Sequence, residues 1–457
     1  MGIQNWFSRV LMSTWFREIT IIDIENLPKD RGCVVVSWND GGLFDKMLTK
    51  SLLPLEQISY DGQIDDQNGL NEIASQIATG KSIVVFPGSE SGLNSGKEST
   101  RNFVAKLALE ATKIGKGKKP VIIPLGVHYS KGHYFRERVA LTIERPIEIS
   151  GTTDELSKVI SGELSRASLS RDDWQDRELI WKARSIIQAE RSRQNPELEK
   201  ITTYGDGVLG ARRVRAAWEW LAKNDTEKCS KLESRTKQHL SDLQNLDLRP
   251  HHVDERPQSV TNKGFAKSIF LWLFAWSFML GFVTFSAIVG SFPPFLLVVL
   301  IDRWIGNKMK EIDRGALKLY SAVVIYPIWW IISAGAFTWA LLSDSSPLSN
   351  FSDYSVILEF LFSLPAVLIF PIMLWWMPTA GKLQIKLYTK GKSSWRRMRL
   401  WAKWRNPSFD WDVLCTTQRK LASDLVQIGD GLVLPGDEDW IDPKPGKDDY
   451  TAVRLRA

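Results

Sequence analysis

The run Val34, Val35, Val36, Ser37, Trp38, Asn39, Asp40, Gly41, Gly42, Leu43, Phe44, Asp45 places a short apolar strand directly before polar groups and a glycine pair. A strand of that composition is buried on both faces, and the polar residues after it open a helix. The run Ile83, Val84, Val85, Phe86, Pro87, Gly88, Ser89, Glu90, Ser91 repeats the arrangement. Working outward, β-rich runs occupy residues 33–38, 82–86, 120–127 and 139–149, with helical patterns at 71–78 and 101–113 between them. Strands alternating with helices predict an α/β domain over residues 21–150, a mixed, largely parallel sheet flanked by helices. Chemistry in such a sheet gathers beyond the carboxyl ends of its strands.

Before this domain, residues 1–20 carry Trp6, Phe7, Val10, Leu11, Trp15 and Phe16 near helical spacing. They predict either an interfacial helix or a helix packed on its own domain. After it, residues 151–263 read as a charged helical extension closed by a linker with Pro250 and Pro257.

Three apolar stretches follow at 268–301, 319–342 and 354–377. The second and third each suit one tilted span of a hydrocarbon core about 30 Å thick. The first is interrupted by Gly290, Ser291, Pro293 and Pro294. The connector after it carries Arg303, Lys308, Lys310, Arg314 and Lys318, and the tail carries Lys382, Lys386, Lys390 and Lys392, whereas residues 343–353 have no Lys or Arg. Positive charge marks the cytoplasmic side. The soluble domain and C-terminal tail are therefore expected in the cytoplasm, with 268–301 a re-entrant hairpin broken at the proline pair. Glu359 falls inside the third stretch, as an intramembrane functional group or one snorkelling to the interface. Residues 381–457 predict a basic, aromatic interfacial helix around Trp395 to Arg405 and a disordered tail rich in Asp, Gly and Pro.

Composition narrows the partners. Across 457 residues, Lys plus Arg number 59 against 52 for Asp plus Glu, a formal charge of +7, and there are 20 Trp. Indoles and cations together point to membrane lipids with acidic headgroups. No helix-turn-helix, RNP or zinc-finger pattern accompanies the charge, which argues against nucleic acid. Cys33, Cys229 and Cys415 are too far apart for a disulfide framework or a cysteine-built zinc site.

Together with Ile122, Ile123, Pro124, Leu125, Gly126 and the closing Arg145, Pro146, Ile147, Glu148, Ile149, the two opening runs resemble the phospholipid/glycerol acyltransferase superfamily. That family's first motif reads Asn-His-x4-Asp after a strand, its third Phe-Pro-Glu-Gly, and its fourth is an apolar strand with Pro. The charged helical segment, the broken apolar stretch and a span opening Tyr326, Pro327, Ile328, Trp329, Trp330 resemble the membrane-anchored, fungal-type glycerol-3-phosphate acyltransferase branch, over residues 15–390.

The resemblance implies transfer of an acyl chain from acyl-CoA or acyl carrier protein to glycerol 3-phosphate or a lysophospholipid in phospholipid synthesis. It implies no metal and no cofactor beyond that co-substrate. In the family the motif's His is the general base and its Asp orients the imidazole. Asn39 and Asp45 match, and Asp40 stands at the His position. An Asp with a reference pKa of about 3.9 is a weaker base near neutrality than imidazole unless burial or a neighbouring carboxylate raises it. Asp45 is that candidate neighbour.

At the third motif Phe86 and Pro87 match, Gly88 and Ser89 replace Glu and Gly, and Glu90 stands two positions on. Asn39, Gly88, Ser89 and Glu90 are thus substrate-binding candidates. Arg101 and Lys106 on the following helix either bind phosphate or form a solvated face. His128 and His133, at the end of the fourth-motif strand, either supply the missing base in space or make ordinary loop hydrogen bonds. Two functions stay open: an active membrane acyltransferase, or a catalytically silent homologue that binds acyl chains or phospholipid and regulates a partner.

Overall fold

The computed structural model describes residues 3–38, 42–58, 67–86, 96–115, 117–130, 135–167, 174–198, 202–253, 261–279, 282–309, 311–343, 363–405 and 410–456. They form two compact units, Met1–Asp254 with Asp412–Ala457, and Glu255–Trp411.

The first unit is organised by a six-stranded mixed sheet. Strands β1 (Phe16–Ile22), β2 (Cys33–Ser37), β3 (Ser82–Val85), β4 (Val121–Tyr129) and β5 (Glu137–Ile143) lie in the order β1-β5-β4-β2-β3, and β6 (Ile147–Glu148) pairs with β4. β2 is parallel to β3 and β4, and β1 is parallel to β5, whereas β4 and β5 are antiparallel. Every residue of β2 and β4 is buried, which is why both read as near-continuous apolar runs rather than alternating ones.

Alternation along the strands assigns the two faces. On one, Val34, Val36, Ile83 and Ile122 pack against Ala74 and Ile77 of α3 (Gln67–Ala78), Val104 and Leu107 of α4 (Gly96–Ile114), and Ile160 of α5 (Thr153–Ala167). On the other, aromatic rings join the sheet to α1 (Ile3–Trp15) and α2 (Leu43–Leu52). Phe16 lies 5.4 Å from Phe44 and 5.9 Å from Tyr129, and Trp15 lies 5.4 Å from Phe44, centroid to centroid. Leu11, Met12 and Trp15 are buried, so α1 is a helix packed on its own domain. The expected helix over 1–20 also ends earlier, since residues 16–20 belong to β1.

α6 (Trp174–Gln194) and α7 (Tyr204–Asn224) cover β1 and β5 through Ile22, Ala140, Ile180, Tyr204 and Val208. α8 (Thr226–Asn245) completes this helical layer.

The expectation of a disordered tail is corrected. Leu432, Val433 and Leu434 are buried, and β7 (Leu432–Val433) pairs with β8 (Arg454–Leu455). The tail's acids meet arginines of α5 and α7. Asp449 lies 2.8 Å from Arg166 and 3.1 Å from Arg212, Asp442 lies 2.7 Å from Arg166, and Asp437 lies 2.8 Å from Arg213. Arg212 also pairs with Glu144. Burial pushes the Asp449 carboxyl up, against the pull of Arg212 and Arg166. Backbone contact fixes the same place: a Cβ on Gly162 would overlap the Gly446 carbonyl, and Gly446 N donates to Glu163 Oε1 at 3.1 Å. Low hydrophobicity misled because the tail is held by charge pairing and a glycine contact as much as by apolar burial.

The second unit contains α9 (Asn262–Met279), α10 (Phe282–Trp304), α11 (Glu311–Leu342) and α12 (Ala366–Trp404). Among the described residues three helices are long and apolar enough to cross a membrane, over Ser286–Lys308, Asp313–Ala340 and Ala366–Trp404. The predicted break at Pro293 and Pro294 is corrected, since α10 continues through both prolines. Proline lacks an N–H, so each leaves the carbonyl four residues earlier without its helical donor. Those carbonyls belong to Val289 and Gly290. Trp329 Nε1 on α11 donates to the first at 2.7 Å, and Trp330 Nε1 donates to the second at 2.9 Å. Two adjacent indoles thus satisfy two adjacent orphans, which lets the helix pass in a medium without water.

The predicted separation between a span at 354–377 and a surface helix near 395–405 is also corrected. α12 is one helix of 39 residues that runs from residue 366 of that span, through Pro371 and Pro378, into the basic segment. Residues 354–362, including Glu359, lie outside the described residues.

Candidate active site

β2, β3 and β4 run parallel, so their carboxyl ends share one edge of the sheet. The chain leaves β2 through residues 39–41, which lie outside the described residues, and enters α2 at its N-cap, Gly42. Asp45 stands in the first turn of α2, where an acid is favoured by the helix dipole. Its Oδ2 accepts from Gly42 N at 3.0 Å, half of a capping box, and its Oδ1 accepts from the Tyr129 hydroxyl at 2.6 Å. Tyr129 is the last residue of β4. The side chain of Asp45 is fully buried, so this carboxylate is fixed between a helix terminus and a strand end.

Burial raises the Tyr129 phenol well above its ordinary range, and the nearby Asp45 carboxylate and the hydrogen bond to it push in the same direction. Tyr129 therefore stays protonated and donating throughout the neutral range. A hydroxyl donating to an ionised carboxylate makes a short, strong bond, as the distance indicates. A carboxylate has about four acceptor positions, and Gly42 N and the Tyr129 hydroxyl occupy two of those on Asp45.

The other candidates are distributed as follows. His128 is adjacent to Tyr129 on β4 and so faces the opposite side of the sheet. It is buried, with Nε2 3.1 Å from Thr142 Oγ1 on β5, over Gly126, where a Cβ would lie 2.8 Å from the ring nitrogen. The sheet therefore separates His128 from Asp45. Arg101 on α4 donates to Ser161 Oγ on α5. Lys106, further along α4, is exposed. Asn39, Asp40, Gly88, Ser89, Glu90 and His133 lie outside the described residues. Among the described residues no group of three or more His, Cys, Asp or Glu is arranged to hold a metal.

Tyr129 is the functional candidate that sequence reasoning missed. Its signal was modest: the apolar alternation Leu125, Val127 continues in step to Tyr129, at a strand end where a polar tip meets the site.

No family model matches the chain, and no curated protein matches it. Among solved structures it is similar to the 1-acyl-sn-glycerophosphate (LPA) acyltransferase PlsC from Thermotoga maritima, at 16% identity and a TM-score of 0.29, over 36% of this chain and 76% of that one.

Proposed function

We propose that this protein is a membrane-bound acyltransferase that moves an acyl chain from acyl-CoA or acyl carrier protein to glycerol 3-phosphate or a lysophospholipid. The observation that carries the reading is Asp45, the aspartate of the Asn39, Asp40, x4, Asp45 pattern, clamped by Gly42 and Tyr129 at the carboxyl edge of the sheet. The three helices fit to cross a membrane support an acyl substrate drawn from lipid.

In the proposed reaction an acceptor hydroxyl oxygen attacks the thioester carbonyl carbon. Its proton passes to the Asp40 carboxylate, the C–S bond breaks, and the departing thiolate takes that proton, leaving an ester and a free thiol. In this reading Asp45 is the neighbouring carboxylate of the motif, the kind of group that strengthens an aspartate as a base when it lies close. Asn39, Gly88, Ser89 and Glu90 are the substrate-binding candidates of this reading, and Arg101 and Lys106 its candidate phosphate cations.

A second reading is a silent homologue that holds acyl chains or phospholipid and regulates a partner. It is favoured by one observation: His128 lies across the sheet from Asp45, so it does not supply the imidazole that Asp40 replaces.

Thiol release from acyl-CoA by the full-length protein, with and without glycerol 3-phosphate, separates the two. Acceptor-dependent release lost in Asp45→Asn supports the enzyme; saturable acyl-CoA retention with no release supports the binding protein.

A further inference from the structure

α9 and the second half of α12 form an antiparallel pair. Phe265 stacks on Trp401 at 3.8 Å and Trp272 lies 5.9 Å from Trp395, centroid to centroid. A Cβ on Gly391 would lie 3.6 Å from Ala275, and Met279 packs with Leu387. Ser268, Ala275 and Met279 are the buried positions of α9, at helical spacing along one seam. Arg405 closes the end of the pair, 3.8 Å from the Trp401 ring and bonded to Asn262 Oδ1 at 2.6 Å.

What the pair leaves outside is sorted by chemistry. The face of α9 away from the seam exposes Phe270, Leu273, Phe274 and Phe278, and Trp276 is exposed on the seam's flank. On α12, Lys386, Lys390 and Arg397 fall by helical spacing on one flank of the seam, and Lys392 and Arg399 on the other. Residues 262–279 and 382–405 together contain 11 Lys and Arg and no Asp or Glu. The first unit behaves differently, for on α8 Lys231 and Lys237 pair with Glu227 and Glu233 one turn away. A helix pair with an aromatic outer face, cations on its flanks and no acid of its own is complementary to a layer of lipid headgroups.

We propose that the α9–α12 pair is a binding surface for anionic phospholipid: the outer face of α9 enters the acyl region, and the α12 cations engage headgroup phosphates beside it. This goes beyond the acyltransferase reading and does not depend on it, because it names the lipid class that the second unit prefers rather than a substrate.

The test uses the full-length protein in a mild neutral detergent, titrated with phosphatidylglycerol or with phosphatidylcholine of matched acyl chains. Binding is followed by Trp fluorescence and by the shift in Tm, with inorganic phosphate as a further arm. Each cation at an anionic surface contributes about fivefold to binding. The variant Lys386→Gln/Lys390→Gln/Arg397→Gln is therefore expected to weaken phosphatidylglycerol binding about 10²-fold while leaving phosphatidylcholine binding unchanged. Should that variant fold poorly, Lys392→Gln/Arg399→Gln tests the other flank, with about a 25-fold loss expected. Equal binding of the two lipids overturns the proposal, as does a phosphatidylglycerol preference that survives the substitutions or is reproduced by phosphate alone. A detergent-corrected dimer mass that reverts to monomer in Phe274→Ser also overturns it, by assigning the aromatic face to a second copy of the chain.

Discussion

The Tyr129 hydroxyl donates to Asp45 Oδ1 at 2.6 Å, tying the end of β4 to the first turn of α2. Two segments 84 residues apart in sequence thereby fix one buried carboxylate at the edge where the proposed chemistry takes place.

Tyr129→Phe removes a donor from that carboxylate without changing ring packing against Phe16. A lost hydrogen bond to a charged group costs about 1.5 to 3 kcal/mol, so Tm and denaturation midpoint should both fall. Retention of full stability would show that the bond is dispensable.

The same phenol sets an alkaline limit. Its folded-state pKa lies above the ordinary value of 10.0, so the unfolded chain loses the proton first. The stabilisation is fully present below pH 10 and is lost as pH rises from there through the folded pKa, by at most about 1.4 kcal/mol per pH unit. Wild type should therefore lose stability above pH 10 more steeply than Tyr129→Phe, measured by urea unfolding across that range.

Cys33 is buried in β2, and burial first of all pushes its thiol up to about 11, with opposing pulls from Ser82 and Arg31. A thiol that stays protonated and covered does not react. At pH 8.5 it should resist iodoacetamide in the native protein and label promptly in urea, read by peptide mass spectrometry.

Trp330→Phe should leave the Gly290 carbonyl without a donor inside the apolar unit. The expected loss is about 1 to 3 kcal/mol, the cost of an unsatisfied buried group, and Trp329→Phe should act alike at Val289. Thermal unfolding in detergent checks this, and an unchanged Tm for both variants would remove the explanation of how α10 passes its proline pair.

Arg212→Ala removes one of the two arginines that face the buried acids Glu144 and Asp449, leaving Arg166 alone with both. Breaking one side of such a pair costs about 3 to 5 kcal/mol. Gly162→Ala should instead push the Gly446 backbone away and expose residues 429–456 to protease, while the sheet survives.

Strands buried on both faces were legible because apolar residues dominate them: β2, β3 and β4 stand out in the residue string. β1 was not, because Arg17 and Glu18 interrupt it at a sheet edge and it follows α1 without a break. Pro293 and Pro294 signalled a broken helix, since the indoles that repair it lie 40 residues away. The tail looked disordered because its arginine partners sit in α5 and α7. At the site, Asp45 was readable from motif spacing, but its clamp by Tyr129 is a tertiary contact, and the placement of His128 on the far face follows from strand parity only once the limits of β4 are known.

Acyl-ester formation from acyl-CoA and glycerol 3-phosphate, followed against pH in full-length wild type, Asp40→Asn and Asp40→His, tests the central claim most directly. Wild type should form ester, Asp40→Asn should lose about 10² to 10⁴ in rate, and Asp40→His should be active with an inflection near the imidazole value of about 6.5. Undiminished ester formation by Asp40→Asn, or none by wild type and Asp40→His with either glycerol 3-phosphate or a lysophospholipid, would contradict it.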